Sequence, residues 1–137
     1  MVEAIVKEIT LAQTFLPKEK AEIEIISTLY FGGGTPSILS IDELKTIFEA
    51  LQKCFVFADD IEITLEANPD DITEATLKDW LNLGINRLSV GIQSFLDEEL
   101  IWMNRAHTTA ESKACIDLIR EMGFTNFSVD LIYGSPV

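Results

Sequence analysis

Segments of helical and extended periodicity alternate along almost the whole of this 137-residue chain, and that alternation limits the fold more than any other feature. Val2, Ile5, Ile9, Ala12 and Leu16 recur at intervals of three and four, one face of an opening helix. Residues 27–31 read as a strand running into glycines. Ser40 and Glu43 form a capping box ahead of Leu44, Ile47, Phe48 and Leu51, which predicts a helix to about Cys54. Residues 61–67 alternate apolar with polar or charged side chains, as a strand does. Thr73 caps a helix carrying Leu77, Trp80 and Leu81, and Gly84 stands where a left-handed stop belongs. Residues 87–93 are the next strand, 97–104 a short helix. A second capping box, Thr108 with Glu111, opens a helix through Cys115, Leu118, Ile119 and Met122 to Gly123, and residues 126–132 are the last strand.

This order predicts an α/β fold with right-handed crossovers and a parallel sheet, although periodicity does not separate an open sheet from a barrel. One domain, or part of one, is expected. The first helix starts almost at residue 1, and the last strand runs straight into the final turn, so both ends read as interrupted. The charged residues 17–24 read as a solvated connection.

Charge narrows the partners. Lys and Arg total 10 against 23 Asp and Glu, a net charge of -13, which repels nucleic acid and anionic membrane surfaces. No apolar run has the length of a bilayer span, and the first residues lack a signal peptide's basic start and apolar centre, so the cytoplasm is the expected location. Cys54 and Cys115 lie in helical patterns and read as buried thiols, not as a disulfide or metal pair. Trp80, Trp102, Met103 and Met122 suit a core.

The residues of chemical interest collect at strand ends. Residues 30–37 read Tyr-Phe-Gly-Gly-Gly-Thr-Pro-Ser, a loop whose bare backbone admits a ligand where any Cβ would collide. Gly32, Gly33, Gly34 and Thr35 follow the first strand, Glu66 and Asn68 end the second, Gln93 and Ser94 end the third, and Asp130 lies on the fourth. In a parallel sheet those carboxyl ends face a common site. Singly, each has a structural alternative: Glu66 could cap a loop, Asn68 before Pro69 is turn chemistry, and Gln93 could bond a neighbouring strand. Arg105 suits a carboxylate held by two hydrogen bonds, or a surface ion pair. His107, the only histidine, reads as a helix-entry hydrogen bond before it reads as an acid or a ligand.

Tyr-Phe-Gly-Gly-Gly-Thr-Pro, Leu-Glu-Ala-Asn-Pro, Arg-Leu-Ser-Val-Gly-Ile-Gln-Ser-Phe, Asn-Arg-Ala-His and Val-Asp-Leu-Ile-Tyr-Gly, in this order and spacing, resemble the oxygen-independent coproporphyrinogen III oxidase family of radical S-adenosylmethionine (SAM) proteins. The resemblance runs from about Thr28 to Pro136 and leans to the haem-chaperone branch. It implies a partial parallel (β/α) barrel of TIM-like type, with SAM across its strand ends. By the same resemblance Gly33, Gly34 and Thr35 receive the methionine part, Glu66, Gln93 and Asp130 bond polar groups including ribose hydroxyls, and Arg105 holds the methionine carboxylate.

One family feature is missing. The resemblance calls for three cysteines, Cys-x3-Cys-x2-Cys, that hold a [4Fe–4S] cluster, and the 137 residues contain no such spacing. The chain therefore reads as residues 1–137 of a radical SAM core domain incomplete at both ends, lacking the first strand and the cluster loop and inactive by itself. Three functions stay open: the SAM-binding core of a haem chaperone, whose full-length form handles haem or porphyrin; a decarboxylating oxidase of porphyrin biosynthesis; or a cluster-free small-ligand module.

Overall fold

In the computed structural model, which describes residues 1–12 and 25–137, the chain runs helix α1 (Val2–Ala12), strand β1 (Ile25–Phe31), helix α2 (Ile41–Cys54), strand β2 (Val56–Ala67), helix α3 (Glu74–Leu83), strand β3 (Arg87–Gln93), helices α4 (Asp97–Trp102) and α5 (Thr109–Glu121), and strand β4 (Phe127–Leu131). Leu16 and the expected connection at 17–24 lie outside the described residues.

Local chemistry sets most of these bounds. Both capping boxes form, Ser40 with Glu43 and Thr108 with Glu111, so the first amides of α2 and α5 find side-chain acceptors. Thr73 caps α3 with Thr76, and Gly84 ends that helix at φ 98°, which costs a glycine nothing. Short 3-10 turns at Pro36–Ile38 and Pro69–Asp71 follow β1 and β2.

The strands form a four-stranded parallel sheet in the order β1-β2-β3-β4. Glu66 stands level with Ser89, and Ser89 with Ser128. Between Val90 and Gln93 the register slips: three steps along β3 match the two from Val129 to Leu131 on β4, which leaves one extra residue on β3.

By packing, the chain divides into two compact units. The first holds residues 1–29 and 39–62, where Leu44, Ile47, Phe48 and Ala50 of α2 are buried. The second holds residues 30–38 and 63–137, with a core drawn from Leu65, Leu77, Trp80, Leu88, Val90, Ile92, Leu100 and Ile119. Fully burying a side chain of this size contributes about 1.5–3 kcal/mol.

Three expectations need correction. Strand β2 begins at Val56 instead of 61: Val56, Asp59 and Asp60 are exposed, so no buried face imposes alternation on its first half. Trp102 is 54% exposed, unlike Trp80 at 2%, because α4 has only six residues and covers one side, at Leu100. Helix α4 also stops at Trp102, ahead of the expected Asn104, whose φ of 54° is left-handed and cannot continue the helix.

Candidate functional site

The site lies within the second unit, and its first wall is the glycine loop. The Tyr30 hydroxyl donates to Glu66 Oε1 at 2.8 Å, and the Gly33 amide donates to Glu66 Oε2 at 3.2 Å. A Cβ on Gly32 would stand 2.6 Å from Tyr30 Cε1 and 2.9 Å from Glu66 Oε1, so bare backbone is what lets ring and carboxylate lie over the loop. The bond to Glu66 raises the Tyr30 phenol above its ordinary range, because losing the proton would set two negative oxygens against each other.

Arg105 forms the second wall. Its Nη2 donates to Asn68 Oδ1 at 2.8 Å and to the Gly91 carbonyl at 3.0 Å, which fixes the plane of the guanidinium. Asn68 is tied back in turn: its amide donates to Ser37 Oγ at 3.4 Å, and Ser37 Oγ donates to Asp71 at 2.6 Å. The end of the glycine loop, the end of β2 and Arg105 thus belong to one network. Across β3, Ser89 Oγ donates to Asp130 Oδ2 at 3.0 Å.

These groups enclose a cavity of about 270 Å³, lined by Gly34, Thr35, Pro36, Glu66, Ala67, Asn68, Ser89, Gly91, Gln93, Arg105 and Asp130. That volume is near the lower end of small-molecule sites. Of the residues singled out from sequence, Gly34, Thr35, Glu66, Gln93, Arg105 and Asp130 line this one cavity, and Gly33 touches it through Glu66. Two carboxylates and a guanidinium on one cavity suit a ligand that carries hydroxyl or ammonium donors as well as a carboxylate. Gly91 shapes the floor, since a Cβ there would sit 2.7 Å from Gln93 Nε2.

Sequence reasoning passed over Ser89 and Gly91, and placed Asn68 at the strand ends with turn chemistry as its alternative. A signal existed: positions 87, 89, 91 and 93 share one face of β3, opposite Leu88, Val90 and Ile92, which are all fully buried. His107 is outside the cavity. Its Nε2 lies 3.0 Å from the Ile92 carbonyl and donates to it, and Nδ1 lies 3.3 Å from an Asp70 carboxylate oxygen without hydrogen-bond geometry. The ring therefore anchors to β3, whereas the entry to α5 is capped by Thr108 and Glu111. Cys115 is buried, and loss of solvation pushes its thiol up to about 11; Cys54 is half-buried. Among the described residues no group of three or more His, Cys, Asp or Glu side chains could hold a metal ion. No described helix is long and apolar enough to cross a membrane.

The model of the radical SAM superfamily matches residues 16–137. The chain belongs to the radical SAM superfamily. This radical SAM chain is 37% identical over 119 residues to the heme chaperone HemW of Haemophilus influenzae, covering 87% of this chain and 31% of that protein. It is also 37% identical over 111 residues to HemW of Escherichia coli, covering 81% and 29%. Among solved structures, coproporphyrinogen III oxidase (HemN) of Escherichia coli, described as a radical SAM enzyme, superposes with a TM-score of 0.84 at 33% identity, over 98% of this chain and 30% of that one. An archaeal Elp3 from Methanocaldococcus infernus shares the fold at 22% identity and TM-score 0.67. The HemN-like α/β fold of radical SAM type, expected from the sequence, is thus present. The chain spans about a third of the length of these relatives.

Proposed function

We propose that residues 1–137 form the SAM-binding part of a radical SAM protein of the haem-chaperone type, working in the cytoplasm, whose full-length form handles haem or porphyrin. The observation that carries this reading is the convergence of Glu66, Gln93, Arg105 and Asp130 on one cavity beside a glycine loop. Arg105, held through Nη2 by Asn68 and Gly91, would pair with the methionine carboxylate through its remaining N–H groups. Glu66 and Asp130 would accept from ribose hydroxyls or the ammonium group, Gln93 would serve as donor and acceptor, and the loop at Gly33, Gly34 and Thr35 would leave room for the methionine part. The fit is supported by the floor at Gly91, which a side chain would fill.

A [4Fe–4S] cluster, when bound, supplies the electron for reductive cleavage of SAM. The two cysteines of this sequence do not fit such a cluster: Cys115 is buried with a raised pKa, and Cys54 is 61 positions away (115 − 54). The 137 residues alone are proposed to bind SAM without cleaving it.

The test uses the natural chain at the length of its relatives. Titrated with SAM by calorimetry, it should bind saturably, and Glu66→Ala should weaken binding by about 1–3 kcal/mol, the cost of leaving a polar partner unpaired. Absence of saturable binding would sink the proposal. A second reading, a decarboxylating coproporphyrinogen III oxidase, is favoured by the likeness to HemN. Retention and transfer of haem supports the chaperone; conversion of propionate side chains to vinyl groups supports the oxidase.

A further inference from the structure

Gln93 is the one cavity residue whose own backbone is in a conformation side chains rarely adopt. Its φ is 71°, and the amide of Ser94 donates to the carbonyl of Ile92 at 2.9 Å, so residues 92–94 close a three-residue turn of the rare, strained hand. The extra residue of the β3 register slip falls in the same segment. Such conformations cost of order 1–3 kcal/mol and persist only where the surroundings over-determine them. This one is held by its neighbours.

Three contacts hold it. The Ile132 amide donates to the Gln93 carbonyl at 2.8 Å, tying the turn to the end of β4. Ser94, 5% exposed, donates its hydroxyl to Glu99 Oε2 and accepts from the Leu96 amide at 3.1 Å. Ser135, beyond β4, donates to the other oxygen of the same carboxylate, Glu99 Oε1. Glu99 therefore bridges the chain leaving β3 and the chain leaving β4, the two segments between which the strained residue is held. The two hydroxyl bonds, that from Ser135 first, keep the Glu99 carboxyl below the usual glutamate range, as expected of an anion that accepts from both.

We propose that Glu99 is a positioning residue for the SAM site: by clamping Ser94 to Ser135 it fixes the turn that aims Gln93 into the cavity. This rests on the reading of the cavity as a SAM site. Glu99 itself does not line the cavity, and its effect is wholly through Gln93.

The natural chain at the length of its relatives is compared with Glu99→Ala, Glu99→Gln and Ser135→Ala, using SAM as the probe. Glu99→Ala should weaken binding about tenfold, the loss of one well-placed hydrogen bond. It should also speed hydrogen exchange at the Ser94 and Ile132 amides with no ligand present. Glu99→Gln can accept from one serine and donate to the other, and should restore affinity to within about twofold of the natural chain. Should Glu99→Ala fail to fold, Ser135→Ala removes one arm alone and is expected to weaken binding severalfold. Unchanged affinity in the variant that folds, or a Glu99→Gln chain as weak as Glu99→Ala, overturns the clamp. Glu66→Ala separates the two claims. If it weakens binding while Glu99→Ala does not, only the clamp fails, and if the natural chain binds no SAM the site reading fails with it.

Discussion

Substituting Gly91 by alanine separates the stability of this fold from the use of its cavity. Gly91 lies in β3 without a positive φ, so its backbone admits any residue. A Cβ there would meet Gln93 Nε2 at 2.7 Å, Asn68 Oδ1 at 3.6 Å and Arg105 Nη2 at 3.7 Å. Only the first distance is prohibitive, and that atom is the far end of a flexible side chain, so Gln93 swings aside while β3 stays in place. Replacing a strand glycine by alanine recovers about 0.5–1 kcal/mol of backbone entropy, which offsets the displaced rotamer. Net stability should therefore stay within about 1 kcal/mol. Binding should not, because the methyl group occupies the cavity floor and removes Gln93 from its place. One lost polar contact is worth about 1–3 kcal/mol, or roughly 5- to 150-fold in Kd. Thermal unfolding and SAM calorimetry on the same preparation read both quantities. Unchanged affinity would show that the ligand does not lie against Gly91, and a chain that no longer folds would show that Gln93 cannot move aside.

Three further outcomes are expected. Arg105→Lys keeps the charge but not the planar guanidinium that Asn68 and Gly91 hold through Nη2, and should weaken SAM binding nearly as much as Arg105→Ala; full affinity in the lysine variant would show that charge alone suffices at this position. His107→Ala removes one of the two donors to the Ile92 carbonyl, the Ser94 amide remaining, and leaves a gap where a buried ring stood; it should cost about 1–3 kcal/mol in chemical denaturation with SAM affinity intact, and a loss of affinity equal to the loss of stability would put His107 in the site. Amides at Ser40, Thr108 and Thr109 hold Glu43, Glu111 and Asp97 below their ordinary ranges, so the folded values are depressed. The stabilisation these carboxylates give is complete above roughly pH 4 to 5 and is lost as pH falls through the depressed values. Melting curves from pH 6 to about 3 should fall more steeply for the natural chain than for Glu43→Gln with Glu111→Gln, whose amides still accept; parallel curves would remove the caps as a cause.

What was legible in the sequence was local. Ser40 with Glu43, Thr108 with Glu111, and Gly84 are signals read within four residues, and each stands where the periodicity put it. The grouping of Glu66, Gln93, Arg105 and Asp130 was also within reach, because parallel strands bring their carboxyl ends to one edge. Asn68 stood at the strand ends with turn chemistry as its alternative, and its bond to Arg105 was not legible, because the two are 37 positions apart and a contact at that separation leaves no mark on the neighbouring residues. Ser89 and Gly91 were passed over for another reason: serine and glycine are ordinary in a strand, and only their alternation with the buried Leu88, Val90 and Ile92 sets them on the face of Gln93. Trp102 shows the limit of hydrophobicity itself, since a helix as short as α4 cannot bury every large side chain it carries. The conformation of Gln93, held from Glu99 and Ser135, has no sequence signature at all.

The most direct test is a crystal structure of the natural chain, at the length of its relatives, grown with SAM. The account predicts the methionine carboxylate on Arg105, ligand hydroxyl or ammonium groups on Glu66 and Asp130, Gln93 in contact, and the ligand resting over Gly91. A ligand bound elsewhere, with these side chains still bonded only to one another, would contradict it.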